Sequence, residues 1–443
     1  MTPHILLINP WIHDFAAYDV WAKPHGLLWL GGILRSHGYS VAYIDCLDRF
    51  HPRAKPADPA ARDGRGPYLK ARIPKPPELS DVPRYFSRYG IPPEWFRQDL
   101  ASARKPDLIL VTSLMTYWYP GVVETIREIR SVFPDVPVLL GGIYATLCRG
   151  HAEQVTGADA VIDGAVAAGD ILEIVAKYTG YSRALNFDPD DLDAFPYPAY
   201  DLQKRIGYIP ILTSLGCPYA CDYCASKRLQ PKRMLRSPSH VAGEIQYWHD
   251  NYGVKHFVFY DDALLVNSEK HAVPLFGQII KTGLDIRFHT PNAVHIREIN
   301  QTTAQLMKDA GFSTLRLGLE TVDFNERTMD HKVCEDEFFK AAECLRKAGF
   351  DSRQVGAYLL IGLPGQKISS VEQSIRMVKQ TGITPILAYY SPIPHTAMWP
   401  AAVKASRYDL EADPIYTNNA IFPCQPAFDW QELSRLKQVI AAP

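Results

Sequence analysis

The sequence has no apolar run of the roughly 18 residues that a membrane-spanning helix needs. Its N-terminus, MTPHILLINP, lacks the basic start, apolar core and small-residue cleavage site of a secretory signal. The cytoplasm is therefore the expected compartment. Net charge is nearly absent too, since 47 Lys and Arg stand against 48 Asp and Glu. That balance argues against a protein that works mainly by electrostatic attraction to nucleic acid or to a membrane surface, and leaves room for a local basic patch. No fixed-period repeat and no low-complexity tract occurs. Eight cysteines in 443 residues do not make a disulfide scaffold, and in a reducing compartment they stay thiols. With 47% hydrophobic and 21% charged residues, the chain reads as two or three globular domains.

What is present is an alternation of short apolar runs and helical spacing. His4–Asn9, Ser40–Asp45, Asp107–Thr112, Val138–Leu140 and Ala160–Ile162 are strand candidates, with helices over Gly26–Ser36 and Val122–Phe133. Such apolar strands imply a Rossmann-like parallel sheet over residues 1–177, with ligands at the carboxyl ends of its strands. Residues 49–106 break the pattern with many of the 35 prolines, which rules out continuous helix or central strand. We expect an ordered insertion that buries Tyr85, Tyr89, Trp95 and Phe96. Residues 178–205, with the acidic DPDDLDAFPYP, read as a linker. Six strand candidates follow within 206–400: Ile209–Thr213, His256–Tyr260, Ile286–Thr290, Thr314–Gly318, Gly356–Ile361 and Ile386–Tyr390. Helices alternate with them, which predicts a partial (β/α)6 barrel rather than a complete eight-unit one. Residues 401–443 form a tail with Tyr416, Phe422 and Trp430 as packing or lid aromatics.

The strongest local pattern is LGCPYACDYCASKR, directly after the first barrel strand. Cys217, Cys221 and Cys224 have the spacing C-x3-C-x2-C. Three thiolates on one loop suit three irons of a [4Fe-4S] cluster and leave the fourth iron open. A zinc site would want a fourth Cys or His at ligand spacing, and none stands there. The other cysteines, Cys46, Cys148, Cys334, Cys344 and Cys424, are scattered and read as buried small hydrophobes.

This loop resembles that of the radical S-adenosylmethionine (SAM) superfamily, with Tyr223 as the aromatic before the last cysteine. The resemblance runs over roughly residues 208–399. It implies a cluster whose open iron is chelated by SAM, and reductive cleavage of SAM to a 5′-deoxyadenosyl radical. It further implies that Asp261 and Asp262, ending the second barrel strand, accept hydrogen bonds from the SAM ammonium, and that Glu320 in LRLGLET takes the ribose hydroxyls. Gly362 and Gly365 in IGLPGQ would let backbone approach SAM. YYSPIPHTAMW resembles the family's S-P-x-P-G-T segment, with His395 where the family has glycine.

The first domain resembles the cobalamin-binding domain that precedes many such barrels. Thr112, Ser113 and Leu114 match its S/T-x-L element, and Gly141 and Gly142 its Gly-Gly element. The resemblance implies that the glycines let the nucleotide tail pass close to backbone while Thr112 or Ser113 offers it a hydroxyl. The D-x-H-x-x-G signature that supplies a histidine to cobalt is missing, and neither His13 nor His25 has that context. DGAVAAGD, residues 163–170, replaces the family's glycine-rich acidic motif.

Together the resemblances imply a cobalamin-dependent radical SAM enzyme with a [4Fe-4S] cluster, SAM and cobalamin. Its commonest outcome is C-methylation of a small metabolite or natural-product intermediate, with cyclisation or rearrangement, with or without cobalamin, as the alternative. The expected partners are a small-molecule substrate and an electron donor such as flavodoxin or ferredoxin, with no nucleic acid and no membrane. A cobalamin- or SAM-binding regulator is a third reading, which SAM cleavage would exclude.

Overall fold

A computed structural model describes every residue except 1, 165–167, 325, 326, 328, 426–428 and 443. It divides into two compact units, residues 1–207 with 412–421 and residues 208–411 with 422–443.

The strands of the first unit are β1 (His4–Asn9), β2 (Ile12–Asp14), β3 (Ser40–Asp45), β4 (Lys70–Arg72), β5 (Ser87–Tyr89), β6 (Leu108–Val111), β7 (Val138–Leu140) and β8 (Ala160–Val161). Five of them form a parallel sheet in the order β3-β1-β6-β7-β8. Alternate residues serve opposite faces, as a pleated strand requires. Leu6, Ile8, Ile109, Val111 and Leu140 pack with Val122 and Ile126 on one side. Ile5, Leu7, Leu108, Leu110 and Leu139 pack with Leu27, Leu34 and Leu172 on the other. Both faces are thus covered by helices, and the carboxyl ends of β1, β6 and β7 are left as the edge where loops begin.

The proline-rich insertion is ordered. With β2 it forms a three-stranded antiparallel sheet, β2-β5-β4, followed by a helix at Pro93–Ser102. Phe96 and Tyr89 are buried, and Trp95 stacks on His51 with centroids 5.0 Å apart. Tyr85 departs from expectation: it is exposed, with the Arg72 guanidinium over its ring. Trp11 fastens the insertion by donating from its indole to the Ile91 carbonyl at 2.7 Å.

Residues 178–205 do not behave as a free linker. Phe187 and Phe195 pack on each other, Ala199 N–H donates to the Leu28 carbonyl, and the Tyr200 hydroxyl meets His25 Nδ1 at 2.6 Å. The aromatics outweigh the acidic character, so the stretch belongs to the first unit. The tail is also divided. Residues 412–421 belong to the first unit, where Asn418 donates to Asp14 and the Thr417 and Thr116 hydroxyls meet at 2.8 Å. The helix Trp430–Ala441 belongs to the second, where Arg435 pairs with Glu372 at 2.6 Å.

The second unit contains β9 (Ile209–Ile211), β10 (Ser214–Leu215), β11 (Met234–Leu235), β12 (His256–Phe259), β13 (Arg287–His289), β14 (Phe312–Glu320), β15 (Val355–Ile361) and β16 (Thr384–Tyr389). Six are parallel, in the order β16-β15-β14-β13-β12-β9. This is the open partial barrel. Helices at Pro238–Tyr252, Ala272–Thr282, Gln301–Asp309, Glu335–Lys347 and Ile368–Gln380 connect the strands. Phe259, Phe288 and Phe312 form a buried stack with centroids 5.1 to 5.5 Å apart. The antiparallel pair β10–β11 is an addition that strand periodicity did not predict. Among the described residues, no helix is long and apolar enough to cross a membrane.

Gly121 lies in the helix Tyr119–Val132, and a Cβ there would fall 2.0 Å from the Trp11 carbonyl oxygen. Alanine favours a helix over glycine by roughly 1 kcal/mol. The clash is with backbone, so it outweighs that gain. Gly121→Ala should destabilise the protein by about 1–3 kcal/mol, seen as a lower thermal midpoint by circular dichroism.

Candidate functional site

The cysteine loop leaves the barrel through β10 and returns through β11, whose pairing of Ser214 with Leu235 and Leu215 with Met234 closes it at the base. Gly216 makes the turn at φ +72°, and a Cβ there would lie 2.8 Å from the Lys232 carbonyl oxygen. Arg233 spans the base, donating to the Gly216 and Ala263 carbonyls. Asp222 N–H donates to Met329 O, and Met398 N–H to Asp222 O, which ties the loop to the segments after β14 and β16. Cys217 and Cys221 are half-buried and Cys224 is exposed. Burial pushes the Cys221 thiol up to about 11 and also raises that of Cys217, and Cys224 acts on both. Three sulfur donors within each other's electrostatic reach are a donor set suited to three irons.

The side chains at the carboxyl ends of the strands fall into two groups. Asp261 does not stand open as expected from the sequence. It is 3% exposed and accepts from Thr213 N–H at 3.1 Å, Thr213 Oγ1 at 2.7 Å and Ser214 Oγ at 2.6 Å. Its geometry is that of a positioning residue. Asp262 has the freer environment: burial raises its carboxyl, Ser226 hydrogen-bonds to it, and its charge acts on Cys217. Glu320 ends β14 at φ +66°, just past a register shift, with Oε1 3.2 Å from Lys332 Nζ. Tyr223 donates to Asp330 at 3.2 Å while Lys332 Nζ lies 5.3 Å from its ring centroid. After β15, Gly362 and Gly365 turn the chain at φ +92° and +69°, and Gln366 accepts from Gly362 N–H at 2.8 Å. His395 takes φ +67°, the left-handed conformation that glycine favours, so the turn persists despite the substitution.

In the first unit, Thr112, Ser113 and Leu114 follow β6, and Gly141 and Gly142 follow β7. Gly142 sits at φ +98°, and a Cβ would lie 2.3 Å from Ser113 O. A Cβ on Gly141 would meet nothing within 4 Å. The backbone at Gly141 is therefore open to close approach. The Ser113 hydroxyl is committed to the fold, donating to Gly141 O at 2.7 Å and accepting from Ala145 N–H at 3.2 Å. Of the two hydroxyls expected to meet a ligand, this leaves that of Thr112. Tyr117 is buried, Trp118 donates to Asp14, and Tyr119 donates to Asp413, so all three pack. His13 pairs with Glu124 at 2.6 Å, and His25 with Tyr200. Of the segment 163–170, residues 165–167 lie outside the described residues.

A profile of the radical SAM superfamily matches residues 211–378, and one of the B12-binding domain matches residues 91–171. The chain is a B12-binding radical SAM protein. An uncharacterized methyltransferase of Pyrococcus horikoshii is 25% identical over 67% of this chain and 70% of its own. The hopanoid C-2 methylase of Rhodopseudomonas palustris is 24% identical over 60% of this chain and 52% of its own. This chain therefore matches about half the length of that second relative. Among solved structures, the radical SAM methyltransferase TsrM of Kitasatospora setae superposes with a TM-score of 0.65 at 16% identity, over 97% of this chain and 84% of that one. At that identity the superposition bears on the fold. It covers β1 and β3 as well, which precede the residues matched by the B12-binding profile.

Radical SAM and B12-binding domains imply a 4Fe–4S cluster, SAM and cobalamin. The donor set in the cysteine loop and the open backbone at Gly141 fit these groups. Sequence reasoning missed Lys332, Arg233 and the stacked pair Tyr219 and His295, whose centroids are 4.5 Å apart. Tyr219 lies inside the cysteine motif without a role of its own in the spacing, while Lys332, Arg233 and His295 belong to no spaced motif and are brought to the loop by the fold. His295 is buried, its Nδ1 lacks a hydrogen-bond partner among the described residues, and burial followed by Lys332, Arg233 and Arg297 pushes its pKa down to about 3.

Cys217→Ala should remove the iron–sulfur absorbance, and anaerobic iron and sulfide analysis checks this. Gly142→Leu should lower bound cobalamin while iron content stays at the wild-type value, read by absorbance and mass spectrometry of one preparation.

Proposed function

We propose that the chain is a cobalamin-dependent C-methyltransferase that acts on a small molecule. The observation that carries this reading is the pairing, in one chain, of a three-cysteine loop on a partial barrel with a B12-binding unit whose strand edge is open over Gly141. The relatives named methyltransferase and methylase support the same reaction class. When bound, SAM supplies a carbon-centred radical and cobalamin supplies a methyl carrier, a combination that reaches carbons with no nucleophilic lone pair.

The chain's own residues divide the work. Cys217, Cys221 and Cys224 hold three irons. The Asp262 carboxylate accepts from the SAM ammonium, an anion placed for a cation, while Asp261 fixes the strand end beside it. Glu320 accepts from the ribose hydroxyls. Backbone at Gly362 and Gly365, together with Tyr223, forms the wall along SAM. In the first unit, Gly141 and Gly142 give the nucleotide tail its path, and Thr112 gives it a hydroxyl. A one-electron donor of the flavodoxin or ferredoxin type supplies the reducing equivalent.

A second reading rests on one observation. The anaerobic magnesium-protoporphyrin IX monomethyl ester cyclase of Synechocystis is 22% identical over 52% of this chain, so cyclisation also occurs among similar proteins. Product analysis separates the two. Anaerobic holoprotein with reductant, SAM and candidate metabolites should form S-adenosylhomocysteine and 5′-deoxyadenosine together, and label from methyl-deuterated SAM should enter the product. Only 5′-deoxyadenosine, with an unlabelled product, would replace methylation with cyclisation or rearrangement. SAM left uncleaved by fully reduced holoprotein would overturn both.

A further inference from the structure

Lys332 is almost enclosed, with 13% of its side chain exposed. The protein places it beside the cysteine loop rather than at the surface, where a lysine usually lies. Its ammonium is 3.2 Å from Glu320 Oε1 and 5.3 Å from the centre of the Tyr223 ring, and Tyr223 separates Asp222 from Cys224 in the loop. Two carboxylates act on it, Glu320 and Asp330, and Arg233 is a second cation at the base of the loop. Asp330 is held by Arg327 at 2.7 Å and accepts from Tyr223, while Glu320 is held by Lys332 itself. The ion pair with Glu320 holds the amine in its charged form against the cost of its burial. The same ammonium lies against the ring of Tyr223, the residue next to Cys224, so its charge is placed beside the cysteine loop.

We propose that Lys332 is an electrostatic positioning residue that raises the reduction potential of the cluster held by Cys217, Cys221 and Cys224, with Glu320 setting how much of its charge the cluster feels. The inference rests on the cluster reading above. Reduction adds one negative charge to a group already bound by three thiolates. A fixed cation stabilises the reduced form more than the oxidised one, so the potential rises. In an enclosed site this effect is weakly screened, because little water or salt lies between the charges. The ion pair gives the sign of a second effect: Glu320 neutralises part of the lysine's charge, so removing the carboxylate exposes more of it. Lys332 also keeps the Glu320 carboxylate in one orientation, so the same ammonium couples the strand end to the cluster loop.

The test is the midpoint potential of the reconstituted cluster without SAM, followed by electron paramagnetic resonance, with iron content measured on every preparation. Lys332→Met should lower the reduced-to-oxidised ratio at fixed ambient potential by about tenfold, a downward shift of about 59 mV for a one-electron couple. Lys332→Arg should restore the wild-type value. Glu320→Gln should move the potential in the opposite direction, upward. A merely structural role would change iron content or stability and leave the potentials alike. Equal potentials in wild-type, Lys332→Met and Glu320→Gln protein, all fully loaded, would overturn the proposal and leave the cluster assignment standing. If Lys332→Met takes up no iron, the Glu320→Gln shift decides: upward supports the proposal, while none or downward overturns it. Wild-type protein that binds no iron would instead refute the cluster reading itself.

Discussion

One buried carboxylate determines where the cysteine loop can be. Asp261 follows β12, yet its three donors come from Thr213 and Ser214, at the point where β9 gives way to β10. Burying a carboxylate without partners costs several kcal/mol, so the pairing is obligatory and fixes the two strand ends together. The Thr213 hydroxyl spends its one proton on Asp261, so His271 Nε2, 2.7 Å away, must be the donor to it. Burial lowers the His271 pKa, against the pull of Asp261. A chain of three side chains thus holds the exit of the loop. The rest follows from there: Gly216 turns, Arg233 closes the base, and the thiols are presented from a hairpin rather than a free segment.

The parallel strands were legible because burial on both faces leaves unbroken apolar runs such as HILLIN and DLILVT. All six barrel strands were legible within a few residues at their ends, although β13, β14 and β16 carry polar or half-exposed positions. The three-residue strands β2, β4 and β5 were not. They are too short to carry a period, and one of them pairs across a long proline-rich separation. Residues 178–205 were misread because acidic composition hid Phe187, Phe195 and Tyr200, which decide the packing.

In the site, legibility followed spacing. Three cysteines within eight residues announce themselves, whereas the adjacent pair Asp261 and Asp262 does not reveal which carboxylate turns inward. Both lie past the end of β12, and only the positions of Thr213 and Ser214 select Asp261 for burial. Ser113 is a similar case. Its match to a ligand-binding element was visible, but its hydroxyl joins the ends of β6 and β7. Lys332 had no sequence signal, because its partners Glu320 and Tyr223 lie on other segments.

Among the non-glycine residues of the second unit that hold left-handed backbone are Glu320 at φ +66° and His395 at φ +67°. Each costs roughly 1–2 kcal/mol relative to the ordinary region, a cost that glycine would avoid. Such strain persists only where the surroundings over-determine it. For Glu320 the surroundings are clear. The register shift between β14 and β15 turns the backbone, and the ion pair with Lys332 fixes the carboxylate inside the site. Glycine would satisfy the turn but would leave the buried Lys332 ammonium without its nearest anion. The strained backbone and the buried lysine are therefore one device: the protein accepts an unfavourable φ at the strand end because a carboxylate is required there.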